Sequence, residues 1–171
     1  MTDYKAVNQL SRLALQHWGE GRLDAAEDGF VQAIAALGAE GNAADLHAQL
    51  AGVLDAAGRL EEAVTQSELA LAGEQSRGQA DDQPLVKVAR YFLADRLARL
   101  GRAQPALGVL APSLAALPDD WLLNTAQAEA LHVAGRHDEA RAAAAHALAH
   151  AGSETKRAQL AERLAPLLLP S

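Results

Sequence analysis

A Gly-Arg pair followed by alanine at the fifth place after the glycine recurs four times, as "GRLDAA" at 21, "GRLEEA" at 58, "GRAQPA" at 101 and "GRHDEA" at 135. The glycines are 37, 43 and 34 residues apart, and a period of that size is produced by stacked helical hairpins. Columns laid out from each glycine agree in kind. Seven places before it stand Ala14, Ala51, Ala94 and Ala128; four before it stand His17, Leu54, Leu97 and Leu131. Eight before it are Leu13, Leu50, Leu93 and the exception, Gln127. The fifth place after is Ala26, Ala63, Ala106 and Ala140, and the twelfth is Ala33, Ala70, Ser113 and Ala147. Small residues at fixed places let two helix axes approach closely while leucines fill the flanks.

The glycine stands where a first helix must stop and the chain reverse, a place for the left-handed backbone that only glycine enters cheaply. Second helices then open with Asp24, Glu61 and Glu62, or Asp138 and Glu139, which suit the positive end of a helix dipole. In the third unit Pro105 fits a first turn. The arginine after each glycine is read as a polar linker with the last carbonyls of the first helix within reach.

The chain has 171 residues, 50% hydrophobic but 4% aromatic, so its apolar material is mostly alanine and leucine, strong helix formers. An all-α protein follows. With 22 acidic against 15 basic residues and a net charge of −7, the sign is wrong for a phosphate-backbone binder, so nucleic acid is not an expected partner. There is no cysteine, which excludes disulfides and thiolate metal sites. The first ten residues, "MTDYKAVNQL", carry no export pattern, and no apolar run suits a membrane span, which makes a cytoplasmic setting the expectation.

These columns resemble the tetratricopeptide repeat (TPR), with its W-x2-L-G-x2-Y, A-x3-F and P signature. Leu10, Leu13, Ala14, His17, Ala26 and Phe30 take the family's places in the first unit; Leu50, Ala51, Leu54 and Ala63 do so in the second, with Ser67 where Phe is usual. The third matches at Leu93, Ala94, Leu97, Ala106, Leu110 and Pro118. The fourth keeps Ala128, Leu131 and Ala140 but has Gln127 and Ala144 where bulk is usual, which predicts a weaker hairpin. The resemblance implies an all-α, right-handed superhelix of four TPR-like hairpins plus a C-terminal capping helix, forming a single domain over 1–171. The repeats span about 4–40, 43–80, 84–118 and 119–151, and the cap about 153–168. The long intervals fall on "GAEGNA" and "GEQSRGQADDQP"; whether residues 73–84 are loop or extended helix stays open. In the cap, Ser153 is the expected N-cap, with Leu160, Leu164 and Leu167 on one face.

In this family the first helix of each hairpin lines a concave groove that holds peptides or protein segments. Counted from the glycines, the inward places are Asn8, Ser11, Leu15 and Trp18; Asp45, Ala48, Gly52 and Asp55; Val88, Tyr91, Asp95 and Ala98; and Leu122, Thr125, Glu129 and His132. Arg99 lies one step away and can pair with an acid. Four carboxylates with two aromatics suit a segment carrying Lys or Arg. The bland reading is a solvated helix face, with Trp18 packed against its own hairpin. The cation clamp of the chaperone-binding members is missing, because the matching places hold Ser11, Leu15, Gln49, Val88 and Phe92.

An enzyme is not expected: phosphate loop, nucleophile elbow and paired acids are all missing from the sequence. His146 and His150 stand one helical turn apart, and His132 and His137 are close in sequence, but no HExxH-type spacing adds a third ligand. The "AAAAHALAH" pattern reads as a helix's polar edge, so neither metal nor cofactor is expected. The expected function is a non-catalytic interaction module or adaptor holding a protein or peptide partner, with no membrane and no indicated homo-oligomer. The alternatives are an accessory subunit that docks to an enzyme or self-associates through its terminal hairpin, and a His-based metal-binding protein.

Overall fold

The computed structural model describes residues 3–39 and 41–168; Glu40, within "GAEGNA", lies outside them. Every element among the described residues is helical. Helix α1 (Tyr4–Gly19) pairs with α2 (Leu23–Leu37), α3 (Ala44–Ala56) with α4 (Leu60–Ser76), and α5 (Pro84–Arg99) with α6 (Ala103–Ala116). Helix α7 (Trp121–Val133) pairs with α8 (His137–Ala149), and α9 (Glu154–Leu168) follows. By internal contacts the chain forms two compact units, residues 1–79 and 80–171. In unit 1, α2 packs on α3; in unit 2, α6 and α5 pack on α7, and α8 packs on α9.

The four turns are built alike. Gly21, Gly58, Gly101 and Gly135 have φ of 75°, 76°, 75° and 74°, the left-handed conformation expected of them. The backbone N–H of the next arginine donates back to the first helix: Arg22 to His17, Arg59 to Leu54, Arg102 to Leu97 and Arg136 to Leu131, at 2.8–2.9 Å. Together with the glycine N–H bonds to Trp18, Asp55, Ala98 and His132, this is the Schellman closure of a helix end. The backbone of the arginine thus reaches the carbonyls; the side chains of Arg59 and Arg136 turn to the second helix, whereas that of Arg22 pairs with Glu20 at the end of the first. Arg59 forks onto Glu62 at 2.7 and 2.5 Å and reaches Glu27 of α2 at 2.5 Å; Arg136 forks onto Glu139 at 2.7 and 2.5 Å. Those hydrogen bonds hold Glu62 and Glu139 below the ordinary carboxylate range.

A side chain added at Gly58 would meet nothing within 4 Å, so its cost is the backbone conformation alone. Gly58→Val is expected to destabilise by about 1 kcal/mol or more, checked by the urea midpoint. An unchanged midpoint would contradict the left-handed turn.

The small columns form the seams. Ala14, Ala51, Ala94 and Ala128 are 0% exposed, as are Ala26, Ala63, Ala106 and Ala140. Helix α2 adds a contact of its own: a Cβ at Gly29 would lie 2.8 Å from the Ala14 Cβ, so α1 and α2 touch through a glycine.

The two long intervals are resolved differently. Helix α4 continues to Ser76, one part of the 73–84 stretch, and residues 77–83 form a loop before Pro84 opens α5. In unit 2 that loop is held by Ser113, whose Oγ donates to the Asp81 carbonyl at 2.6 Å. Buried Arg90 adds an ion pair to the Asp81 carboxylate and donates to Val109 O at 2.8 Å. Between α2 and α3, Asn42 accepts from Ala44 N at 2.9 Å and donates to Gly73 O of α4 at 2.7 Å.

The fourth hairpin obtains its bulk from the following helix. Ala144 is 0% exposed and packs in one cluster with Ala128, Leu131, Ala147, Leu160 and Leu164, and Leu167 lies against it. Ser153 Oγ accepts from Lys156 N at 3.2 Å, so α9 starts on the expected cap. No helix among the described residues is long and apolar enough to cross a membrane.

Candidate functional site

In unit 2, Tyr91 and Asp95 of α5 and Glu129 of α7 gather around a side chain outside the expected groove set, Arg163 of α9. Its guanidinium forks onto Glu129, Nε to Oε1 at 2.6 Å and Nη2 to Oε2 at 2.8 Å. Nη1 donates to the Tyr91 hydroxyl at 2.7 Å, and Nη2 reaches Asp95 Oδ1 at 3.2 Å. The guanidinium carbon lies 5.9 Å from the Tyr91 ring centre. Two carboxylates and an aromatic ring therefore surround one planar cation, a geometry that suits arginine better than the point charge of lysine.

The cluster is partly withdrawn from water. Tyr91 is 8% exposed, and burial pushes its phenol above the ordinary range even though Arg163 pulls the other way. Burial disfavours the Arg163 cation, but the hydrogen bonds and charge of Glu129, with Tyr91, outweigh it and hold the guanidinium above its usual pKa. A cleft of about 370 Å³ adjoins the cluster, lined by Asp95, Ala98, Arg99, Glu129, His132, Val133, Arg163 and Leu167. Arg99 donates to Asp95 at 3.4 Å, the pairing expected of it, and the His132 ring meets that of His137 at a tilt, with centres 5.0 Å apart.

Thr125 departs from the expectation. It is 0% exposed, and its hydroxyl donates to the Trp121 carbonyl one turn back at 2.7 Å, so it faces the packing of α7 rather than open space. Glu129, one turn on, is only half-buried.

Unit 1 uses the first helices of its hairpins differently. Trp18 is half-buried against the α1–α2–α3 core, and a Cβ at Gly52 would lie 2.5 Å from its Cη2. The indole thus seats on α3 of the next hairpin, through the gap that Gly52 leaves. Ser11 donates to Val7 O at 2.8 Å, Asn8 and Asp45 are exposed, and Asp55 is half-buried.

Against solved structures, the chain is similar to a putative kinesin light chain from Podosopora anserina with nearly identical TPR-like repeats. The match covers 96% of both chains with a TM-score of 0.69 at 18% identity. The fold is the TPR-like repeat fold. It is shared at a TM-score of 0.68 with MamA 41-end from Desulfovibrio magneticus RS-1, at 16% identity over 98% of this chain and 96% of that one. BtubC from P. vanneervenii is similar at a TM-score of 0.68 and 18% identity, over 94% of this chain and 79% of that one. No family model matches the sequence, and no curated protein matches it.

The TPR-like frame explains how Arg163 arrives. It lies 34 residues after Glu129 and 68 after Asp95, so Asp95, Glu129 and Arg163 hold one repeat position on α5, α7 and α9. Helix α9 therefore stands where the first helix of a further TPR-like unit would stand. The 34-residue spacing was the available signal in the sequence, but α9 lacks the Gly-Arg marker by which the units were aligned.

Proposed function

We propose that this chain is a non-catalytic protein-interaction module that holds an arginine-bearing segment of a partner protein, with Tyr91, Asp95 and Glu129 as its cation-recognising cluster. The observation that carries this reading is Arg163 itself: the cluster already holds a guanidinium through Glu129, Tyr91 and Asp95. Phe92 stands edge-on to Tyr91 with ring centres 5.1 Å apart, and it forms an apolar stripe on α5 with Leu85 and Val88, the three being 46%, 51% and 38% exposed at helical spacing. A partner helix with leucines beside an arginine matches such a surface in shape and charge. The partner's arginine replaces Arg163, and α9 acts as a place-holder until it does. The remaining inner residues, Asn8, Ser11, Trp18, Asp45, Asp55, Arg99 and His132, belong to the same partner-facing helices in this reading.

The test is fluorescence anisotropy with amphipathic peptides that differ only in carrying arginine, lysine or citrulline at one position. Arginine is expected to bind tightest. Arg163→Gln, which vacates the cluster, is expected to tighten the arginine peptide by about tenfold, the worth of one charge-assisted hydrogen bond. Glu129→Gln should weaken it by a similar factor. Equal binding of all three peptides, or indifference to both substitutions, would remove this reading.

A further inference from the structure

The turn from α6 to α7 carries two aspartates with different duties. Asp120 caps α7, accepting from Leu122 N and Leu123 N at 3.0 and 3.1 Å, and pairs with Lys87 at 2.7 Å. Asp119 takes no part in that cap and faces the end of α8, where His146 and His150 stand one turn apart. Its Oδ1 lies 3.0 Å from His146 Nε2 and 3.8 Å from His150 Nε2. One donor atom from each of the three residues falls within 4.8 Å of the others.

We propose that Asp119, His146 and His150 form a binding site for a divalent transition-metal ion of the zinc type. The separations suit it: bonds of about 2.0–2.1 Å in tetrahedral coordination put neighbouring donors roughly 3.3 Å apart, between the two distances observed. The orientation of His150 suits it too. Its Nδ1 lies 3.0 Å from the His146 carbonyl oxygen, which can only accept, so Nδ1 carries the hydrogen and the Nε2 lone pair points towards Asp119. A ring fixed through a backbone carbonyl in this way is the usual support of a metal-binding histidine. The imidazoles lie 4.4 Å apart, and all three side chains are open to solvent at 40%, 40% and 68%, so an ion has access.

The chemistry of the donors sets the class of ion. Two neutral imidazoles and one carboxylate favour zinc, copper or nickel over calcium and magnesium, which take oxygen donors. Without metal, His146 Nε2–H donates to Asp119; with metal the neutral ring carries its hydrogen on Nδ1 instead, so that Nε2 gives its lone pair to the ion and His150 Nε2 is drawn in as the next donor. Three protein donors leave a fourth position to water or to a donor from a partner. Sequence spacing alone supplied the histidine pair; the third donor comes 27 residues before His146 and is brought in by the fold. Bound metal would tie the α6–α7 turn to the end of α8.

The experiment is isothermal titration of the tag-free, metal-stripped full chain with Zn²⁺ alone, alongside thermal melts with and without Zn²⁺. One saturable equivalent is expected, with a raised melting temperature, and Mg²⁺ or Ca²⁺ should give neither. Asp119→Asn, His146→Gln and His150→Gln should each weaken zinc by at least about tenfold, the loss that even an outer-sphere change brings, and should abolish the thermal gain. His132→Gln with His137→Gln should leave the zinc titration and the zinc-dependent thermal gain unchanged. No saturable zinc binding would overturn the proposal, and so would binding that survives His146→Gln with His150→Gln or that is lost with His132 and His137 instead. Because Asp119 and His150 are exposed and His146 is only half-buried, circular dichroism should show each variant folded.

Discussion

Phe30→Ala will destabilise the protein by about 3–5 kcal/mol. Phe30 is 0% exposed and packs in a cluster with Ala14, Ala26, Leu50, Val53, Leu54 and Ala63, which joins the two hairpins of unit 1. Its neighbours cannot close the void. Alanine columns on either side already hold the helices as near as their backbones allow, and Gly29, one place earlier, shows how little slack remains. The transfer term and an uncollapsed cavity therefore add. Thermal melting should report the loss as roughly 2–4 °C for each kcal/mol in a chain of this size. Ser67, nine places after Gly58 as Phe30 is after Gly21, supplies the control. It is 3% exposed, with its hydroxyl donating to Ala63 O at 2.7 Å, and Ser67→Ala should cost within about 1 kcal/mol. Similar costs at the two places would mean that repeat position, and not removed volume, governs this core.

The second large effect belongs to α9. Leu164 is 0% exposed among the alanines of α8 and Leu131 of α7, so Leu164→Ala should cost about 2–5 kcal/mol. Its loss should loosen the helix that delivers Arg163 to Glu129. Trp121 reports this directly, because Lys156 of α9 sits 5.0 Å over its ring and the indole packs against the same cluster. In a Trp18→Phe background the fluorescence of Trp121 should shift to the red in Leu164→Ala at temperatures where far-UV helicity is retained. An unshifted spectrum together with a wild-type melting curve would show that α9 does not depend on this leucine.

Much of the architecture was legible because it is local or periodic. The glycine at each turn is required by a left-handed φ, the small columns by close helix axes, and the Ser153 cap by an orphan N–H; each is a rule about a few consecutive residues. The candidate site was legible in part. The spacing grouped Tyr91, Asp95 and Glu129 with Trp18, Asp45 and Asp55 as one acidic, aromatic set suited to a cation-bearing segment, of which the fold brings the first three together. It did not identify the cation, because Arg163 is 72 residues from Tyr91 and meets it only after two hairpins have packed. Thr125 was misjudged for a related reason: counting fixes a residue's angle around its helix, while its burial depends on how closely the neighbouring helix approaches. Asp119 was missed because a turn residue has no helical phase from which to read its direction.

The alanine seams also bear on how such a chain can change over evolutionary time. A contact between two methyl groups constrains size and leaves the outward positions of the same helices nearly unconstrained, so drift can rewrite most outward side chains while the backbone path persists. Ancestry in a protein built this way fades from the letters long before it fades from the shape, and novelty can enter through single exposed atoms at the ends of its turns.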